Sequence, residues 1–193
     1  RLGEVESLEY TNDRGVGVTV YKDRKKGSAS TSDFSIAALK EAVRKAASFA
    51  TYTAPDEHAG LADPALMAAD PPDLELAHRW ALTSDDAMRM AIECGYAARG
   101  SDARITNSEG ATVATNSGMR AYGNSHGFLA AYPKTSHSLS CVVEGEENGS
   151  MERDYWYSAA RDPGELESAA HVGARADERT LRRLGARKPT TVT

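Results

Sequence analysis

Ser136-His-Ser-Leu-Ser-Cys-Val-Val143 is the stretch that best indicates the fold, because polar and apolar residues alternate along it. Period-two alternation over this length is typical of a β-strand with one buried face. Five further short segments have the same character and are separated by Gly, Asn and Ser: 104–107, 111–115, 120–124, 128–132 and 151–158. Strands in unbroken succession favour an antiparallel meander, so the sequence predicts six short strands in one antiparallel sheet.

Helical patterns flank this meander on both sides. Before it, Thr83 or Ser84 is predicted to cap a helix, with acidic residues in the first turn. After it, Asp162, Pro163 and Glu165 occupy positions typical of the N-cap, N1 and N3 of a long helix. Small residues along one side of that helix indicate close packing on the sheet.

The pattern of the first seventy residues predicts a separate unit, in which strands are followed by a helix. Leu2–Tyr10 alternates weakly, Val16–Val20 alternates clearly, and Ser28–Ser32 is read as a third, small strand. Ser35 then matches the N-cap of a helix with one apolar face. We therefore predict an α+β fold with three main helices, divided into a hairpin-plus-helix subdomain at 1–70 and a central subdomain at 71–193.

Composition and charge restrict the class of protein. The chain has 193 residues, 40% of them hydrophobic, and 23 basic residues against 28 acidic ones, a formal net charge of −5. Such a field repels phosphate polymers, so nucleic acid is a disfavoured partner. No stretch has the roughly 18 apolar residues that would span a membrane. We expect a cytoplasmic, membrane-free piece of a longer protein, since Arg1 stands where a methionine would begin a complete one.

The sequence contains no recognisable catalytic or metal-binding pattern. A zinc peptidase helix needs two His one turn apart with a Glu beside the first, and the chain has no His-Glu dipeptide. His126 and His137 could meet across a hairpin turning near Tyr132-Pro133-Lys134, with Glu144 or Glu146 completing a site. An ordinary cross-strand polar pair explains that arrangement better. We predict no catalytic and no metal-binding residue.

The candidate nucleophiles also lack partners. Ser125-His126 and Ser136-His137 are neighbours in sequence, and on a strand neighbours point to opposite faces. Cys94 and Cys141 lie in an apolar helix face and an apolar strand, and are predicted to be inert core thiols.

Two clusters of side chains have both a structural and a functional interpretation. Asp154-Tyr-Trp-Tyr157 is either a strand buried on both faces or a platform for an extended peptide. The basic residues near the end of the last predicted helix suit its C-terminus or a solvated surface, and nucleic-acid binding is the less favoured interpretation. That cluster comprises Arg175, Arg179, Arg182, Arg183, Arg187 and Lys188.

Several stretches together resemble a known family. They are Arg14-Gly-Val-Gly-Val-Thr-Val-Tyr21, Gly27-Ser-Ala-Ser-Thr-Ser-Asp33, Arg104-Ile-Thr-Asn-Ser-Glu-Gly-Ala111, Asn124-Ser-His-Gly-Phe128, and Arg153-Asp-Tyr-Trp-Tyr157 leading to Ala160-Arg-Asp-Pro163. In this order and spacing they resemble the amino-terminal region of the TldD/PmbA family, on its PmbA (TldE) branch. The resemblance runs through nearly the whole chain and no single motif carries it.

The resemblance implies a cytoplasmic subunit that works with TldD as a heterodimeric metallopeptidase on small unfolded peptides. In that family TldD holds zinc through an H-E-x-x-x-H helix and a cysteine of its carboxy-terminal half, which the PmbA branch lacks. We therefore expect a chain that is catalytically silent alone, without a cofactor of its own. Its role would be structural, with contacts to a TldD-like partner or in a homodimer. Tyr155, Trp156, Tyr157, Asn124 and His126 are its predicted peptide or partner surface.

Two alternatives stay open at this stage. The chain could be a regulatory binding module, modulating DNA gyrase or linked to RNA regulation, without a peptidase role. It could also be a fragment produced by proteolysis. In either case the carboxy-terminal half expected from the resemblance is absent from these 193 residues.

Overall fold

The computed structural model describes residues 2–100 and 102–186, which form two compact units. One unit is Glu9–Asp70, and the other comprises the described residues of Arg1–Leu8 and Pro71–Thr193. Two antiparallel sheets and three main helices make this an α+β fold, which confirms the predicted class.

The smaller unit is a β-hairpin with a helix packed on one face. Strands β1 (Val16–Lys22) and β2 (Lys25–Thr31) pair around a two-residue turn, and helix α1 (Ile36–Tyr52) follows. Both turn residues have positive φ, the conformation that matches the twist of a tight hairpin. The helix approaches so closely at Gly27 that a Cβ there would overlap the backbone of Ala46.

Two sequence-based predictions for this unit have different outcomes. Ser35 caps α1 as predicted, because its side chain accepts a hydrogen bond from the amide of Ala38. The predicted first strand at Leu2–Tyr10 is wrong, since these residues form no strand. Their alternation is weak, and they join no strand ladder in the structure. The residues predicted as a third strand, Ser28–Ser32, fall largely within β2.

The larger unit is built on a three-stranded antiparallel sheet in the order β3–β4–β5. Its strands are β3 (Ile105–Gly123), β4 (Leu129–Glu147) and β5 (Ser150–Ala160). The six short strands predicted from sequence are therefore three long ones. Gly110 and Gly118, which suggested breaks between strands, lie inside β3 and pair with Val142 and Lys134.

Helices α2 (Ser84–Ala97) and α3 (Ala169–Arg183) cover one face of this sheet. The core joins Leu139, Cys141 and Val143 of β4 to apolar side chains of both helices. Cys94 on α2 is buried against this core, so both cysteines are enclosed thiols as predicted. Its hydrogen bond with Cys141, together with burial, raises the pKa of the Cys94 thiol.

The start of α3 differs from the prediction. Asp162 caps only one 3-10 turn, Pro163–Glu165, and the chain then becomes extended at Leu166. Helix α3 begins after Ser168, whose side chain accepts a hydrogen bond from the amide of His171. Two capping signals stand within seven residues, and the second one starts the helix. By contrast, Thr83 caps α2 as predicted. Among the described residues, every helix is too short or too polar to cross a membrane.

Candidate partner and peptide surface

The face of the β3–β4–β5 sheet opposite the helices carries accessible side chains, and we call it the outer face. Residues at alternate positions of β4, from Lys134 to Glu146, point to it, while His137, Leu139 and their alternates point to the core. The register places small or polar side chains of β3 and β4 side by side in its middle. These are Thr112, Ala114, Asn116, Ser136, Ser138 and Ser140.

Tyr155 and Tyr157 of β5 stand on this face beside the row of serines. Tyr157 pairs with Ser140 and Tyr155 with Val142. The two rings stack with centroids 6.3 Å apart, and the residues are 52% and 56% exposed. A strand buried on both faces is therefore the wrong interpretation of the aromatic run. Tyrosine is enriched at protein interfaces, and two exposed rings that stack on each other suit such a surface.

Trp156, between them in sequence, lies on the opposite face of β5. Its indole nitrogen donates to Glu167 at 2.8 Å, and the guanidinium groups of Arg175 and Arg179 lie over its ring at 5.2 and 5.5 Å. Trp156 therefore packs β5 against α3 and against the residues that precede α3. Of the three predicted aromatic contact residues, only the two tyrosines belong to the outer face.

Asn124 and His126 lie in the turn that joins β3 to β4, away from the tyrosines. The side chain of Asn124 accepts from the amide of His126 at 3.0 Å, and Gly127 has a positive φ, so these residues build the turn itself. Tyr155 pairs with Val142, thirteen positions beyond the first residue of β4. That is about 40 Å along the strand. The structure therefore does not bring the five predicted surface residues together.

His126 and His137, considered from the sequence as a pair that could meet across a hairpin, do not meet in the structure. The hairpin turns at 124–128, whereas Pro133 lies inside β4 opposite Met119. His137 is 1% exposed, and both of its ring nitrogens are in contact with protein groups: Thr115 at 2.8 Å and the carbonyl of His78 at 2.9 Å. Within the ranges 2–100 and 102–186, no three His, Cys, Asp or Glu side chains are placed to hold a metal ion.

Sequence reasoning did not identify Thr135 and His137 as the residues that anchor the segment before α2. Thr135 donates its amide proton to the carbonyl of Leu76, and its hydroxyl accepts from the amide of His78. The rings of Trp80 and His137 pack in a T-shaped arrangement, with centroids 5.3 Å apart. Alternation along β4 places His137 on the same face as Leu139, but nothing in the sequence identified the carbonyl of His78, 59 positions away, as its partner.

The basic cluster of α3 is largely neutralised by acidic side chains. Arg179 and Arg183 lie 3.2 and 3.8 Å from the carboxylate of Asp154, and Arg183 also contacts Glu152. Arg175 and Arg182 both pair with Glu178. Arg187 and Lys188 lie outside the described residues. This helix surface is therefore a set of ion pairs with β5 and within α3, which disfavours a role in binding phosphate.

The two ends of the outer face carry opposite charge. Glu144 and Glu146 stand at the end near the β4–β5 turn, and Lys134 and Arg120 at the end near the β3–β4 turn. Glu144 accepts from Asn107 at 2.9 Å, and Arg153 pairs with Glu109 beside it. Lys134, Arg120 and Glu146 are exposed, and in the described part of the chain none of them has an ion-pair partner.

Comparison with protein families gives two consecutive matches. The family model of the PmbA/TldA metallopeptidase central domain matches residues 77–184, and that of PmbA/TldA metallopeptidase domain 1 matches residues 1–50. The first of these alone accounts for more than half of the chain.

Curated relatives carry the same family name. The chain is 45% identical over 192 residues to the metalloprotease PmbA of Escherichia coli O157:H7, covering 100% of this chain and 43% of that protein. It is 44% identical over 191 residues to the PmbA homologue of Haemophilus influenzae, covering 99% and 42%. The chain thus spans less than half the length of the curated relatives it matches.

Solved structures share the fold. A protein of Bacteroides thetaiotaomicron described as a candidate modulator of DNA gyrase superposes with a TM-score of 0.79 and 29% identity, over 91% of this chain and 40% of that one. TldE of Thermococcus kodakarensis superposes with a TM-score of 0.69 and 20% identity, over 93% and 40%. At that lower identity the likeness concerns the fold alone.

Proposed function

The chain belongs to the PmbA/TldD metallopeptidase family, and on that premise we propose that it is the amino-terminal part of a PmbA (TldE)-like, non-catalytic subunit. The subunit would act with a TldD-like partner to degrade or process small unfolded peptides. In this proposal the zinc is held by the partner. The present chain contributes structure, subunit contacts and part of the surface that peptides meet.

The observation that carries this proposal is the outer face. It presents two stacked tyrosines and a row of hydroxyl side chains, while no group of metal-ligating side chains occurs among the described residues. Such a face can hold an extended chain or a second protein through ring contacts and hydroxyl hydrogen bonds. Both ring nitrogens of the buried His137, behind this face, are committed to structural contacts.

Metal content and peptide hydrolysis test the non-catalytic role. We expect the isolated chain to bind no stoichiometric zinc and to leave an unfolded peptide intact, and the pair formed with a TldD-like subunit to cleave it. Stoichiometric zinc with turnover by the chain alone would contradict the proposal.

The contribution of the tyrosines is tested in the same pair. Replacing Tyr155 and Tyr157 with Ala should reduce cleavage at low peptide concentration, because binding surface is lost while the zinc site is untouched. The matched control is a double replacement of Tyr10 and Tyr52 with Ala, since both are exposed and lie in the smaller unit. Equal effects of the two double variants would count against a specific role for the outer face.

A second candidate, modulation of DNA gyrase, is suggested by the description of the Bacteroides protein. If it operates through nucleic acid, binding should weaken steeply with salt and be lost when Arg182 and Arg183 become Glu. The pairing of these arginines with Glu178, Glu152 and Asp154 favours the peptidase-subunit proposal instead.

A further inference from the structure

The charges at the two ends of the outer face differ in sign and have no partner within the protein. Lys134 lies at one end of β4 and Glu146 lies twelve positions further along it, and both point to this face. Arg120 of β3 pairs with Tyr132, two positions from Lys134, and belongs to the same basic end. All three charged side chains are exposed, and none has an ion-pair partner in the ranges 2–100 and 102–186. The face therefore has an electrostatic polarity along its strands.

The other charged side chains near the acidic end are compensated within the sheet. Arg153 pairs with Glu109, and Glu144 accepts a hydrogen bond from the side chain of Asn107 at 2.9 Å. Glu146 is therefore the carboxylate at this end that is available to a ligand.

Building on the proposed function, we propose that the outer face binds an extended peptide in one direction only. A positive charge at the beginning of the peptide lies at Glu146, and a negative charge at its end lies at Lys134 and Arg120. The bound peptide thus runs antiparallel to β4. The preferred substrate is an unstructured peptide that is basic at its beginning and acidic at its end.

The middle of the face accommodates an extended chain without selecting its sequence. Ser136, Ser138 and Ser140 lie at every second position of β4, about 7 Å apart. An extended peptide has the same two-residue repeat, so its downward side chains can lie between successive hydroxyl groups. Tyr155 and Tyr157 stand along one side of this row. Hydroxyl groups both donate and accept hydrogen bonds, so the direction of binding depends on the charged ends.

The distance between the two ends sets the length of peptide that can be read. Twelve positions of a strand span about 40 Å, and an extended peptide covers this distance with about twelve residues. A much shorter peptide reaches only one end and should show no preferred direction. Because the charged groups are exposed, we expect a preference of about fivefold to tenfold that weakens with added salt.

Two twelve-residue peptides of identical composition test the direction. One has two lysines at its beginning and two glutamates at its end, and the other has the reverse order. Both are acetylated and amidated, so that only side chains carry charge. Fluorescence anisotropy measures their binding to the pair formed with a TldD-like subunit, after a chelator has removed zinc so that the peptides stay intact. The first peptide should bind at least about fivefold more tightly, and six-residue versions should bind equally.

Exchanging the charges of the protein should change this preference. In the double variant Lys134→Glu, Glu146→Lys, the ratio of the two dissociation constants should shift at least about fivefold toward the second peptide, while the net charge stays the same. The matched control is Glu9→Lys with Lys45→Glu. It exchanges two exposed charges of the smaller unit and should leave the ratio unchanged.

The outcomes separate this inference from the proposed function. Equal binding of the two twelve-residue peptides, or a ratio that the double variant leaves unchanged, overturns the inference while the proposed function stands. A double variant that no longer binds the TldD-like subunit would show that these charges make a subunit contact, and would also overturn the inference. A pair that neither binds nor cleaves unfolded peptides overturns the proposed function, and the inference with it.

Discussion

The ring of His137 and the backbone carbonyl of His78 lie 2.9 Å apart, and they join the middle strand of the sheet to the segment before α2. A carbonyl only accepts, so Nε2 of His137 carries the proton and donates it. In the neutral ring Nδ1 must then accept from the hydroxyl of Thr115, 2.8 Å away. The hydrogen bond that holds the segment around His78 on β4 therefore also determines which nitrogen of the His137 ring carries the proton.

Removing the donor to this ring should destabilise the larger unit. Thr115→Val keeps the shape of the side chain but leaves Nδ1 of a buried imidazole without a donor, at a cost of about 1–3 kcal/mol. Urea unfolding would measure the loss. Thr112→Val, at an exposed position of the outer face, should change stability by less than about 0.5 kcal/mol. Equal effects would contradict the assigned hydrogen bond.

The contact between α2 and α3 should reject a methyl group at Gly173. A Cβ there would overlap the carbonyl oxygen of Cys94 and come within 2.9 Å of the amide nitrogen of Ala98. Both are backbone atoms, so the helices must separate, and Gly173→Ala should cost roughly 3 kcal/mol. At Gly95 on α2 a Cβ meets nothing within 4 Å. Gly95→Ala should therefore stabilise by about 0.5–1 kcal/mol, and a loss comparable to that of Gly173→Ala would refute the packing argument.

The pair of Asp102 and Arg104 should contribute to acid sensitivity. Hydrogen bonds from the Arg104 side chain lower the pKa of Asp102 from its usual 3.8 to about 2. Because the folded state favours the charged form of Asp102, this carboxylate contributes to the free energy of unfolding above about pH 4. That contribution is lost as the pH falls through 2. Asp102→Asn should therefore reduce stability at pH 6 and much less at pH 2, as measured by urea midpoints.

The internal control for this effect is Arg104→Gln. Without the guanidinium, the difference between Asp and Asn at position 102 should change much less between pH 6 and pH 2, because only the backbone amide of residue 104 still donates to the carboxylate, at 2.9 Å. Arg104 also pairs with Glu147 at 3.0 Å, so this variant alone should lose more than Asp102→Asn does. A pH-dependent difference of undiminished size in the Arg104→Gln background would show that the guanidinium does not lower the pKa of Asp102.

The two cysteines should be unreactive in the folded protein. Cys94 and Cys141 are fully buried, and the raised pKa of the Cys94 thiol reduces its thiolate further. We expect iodoacetamide to modify neither thiol under native conditions and both in urea, with mass spectrometry as the readout. Fast native alkylation of either thiol would contradict this burial.

Local signals in the sequence predicted the local structure well. Ser35 and Thr83 cap their helices as expected, because a cap depends on a side chain and an amide three positions away. Asp162 shows the limit of such signals. Asp162 and Pro163 correctly predict the start of a helical turn. Whether that turn continues into a long helix depends on the tertiary contacts of the residues that follow.

Strand lengths and the composition of the surface depend on pairing between distant residues. Pro133 suggested a hairpin turn but lies inside β4, where β5 no longer pairs beyond His137 and a missing amide donor is tolerated. Tyr155 and Tyr157 could be placed on one face by alternation. The positions of Asn124 and His126 could not be predicted in the same way. They lie at the far end of the β3–β4 hairpin, and the sequence had suggested a turn near Pro133 instead.

The separation of 59 positions between His78 and His137 also orders events during synthesis on the ribosome. The hairpin and α1 of the smaller unit find all their mutual partners within the first 52 residues. Short loops close at a lower entropic cost than long ones, so this unit can fold while the later strands are still being translated. The backbone groups of Leu76 and His78 lack their hydrogen-bond partners until β4 has been synthesised. During that interval this segment is exposed and accessible to chaperones.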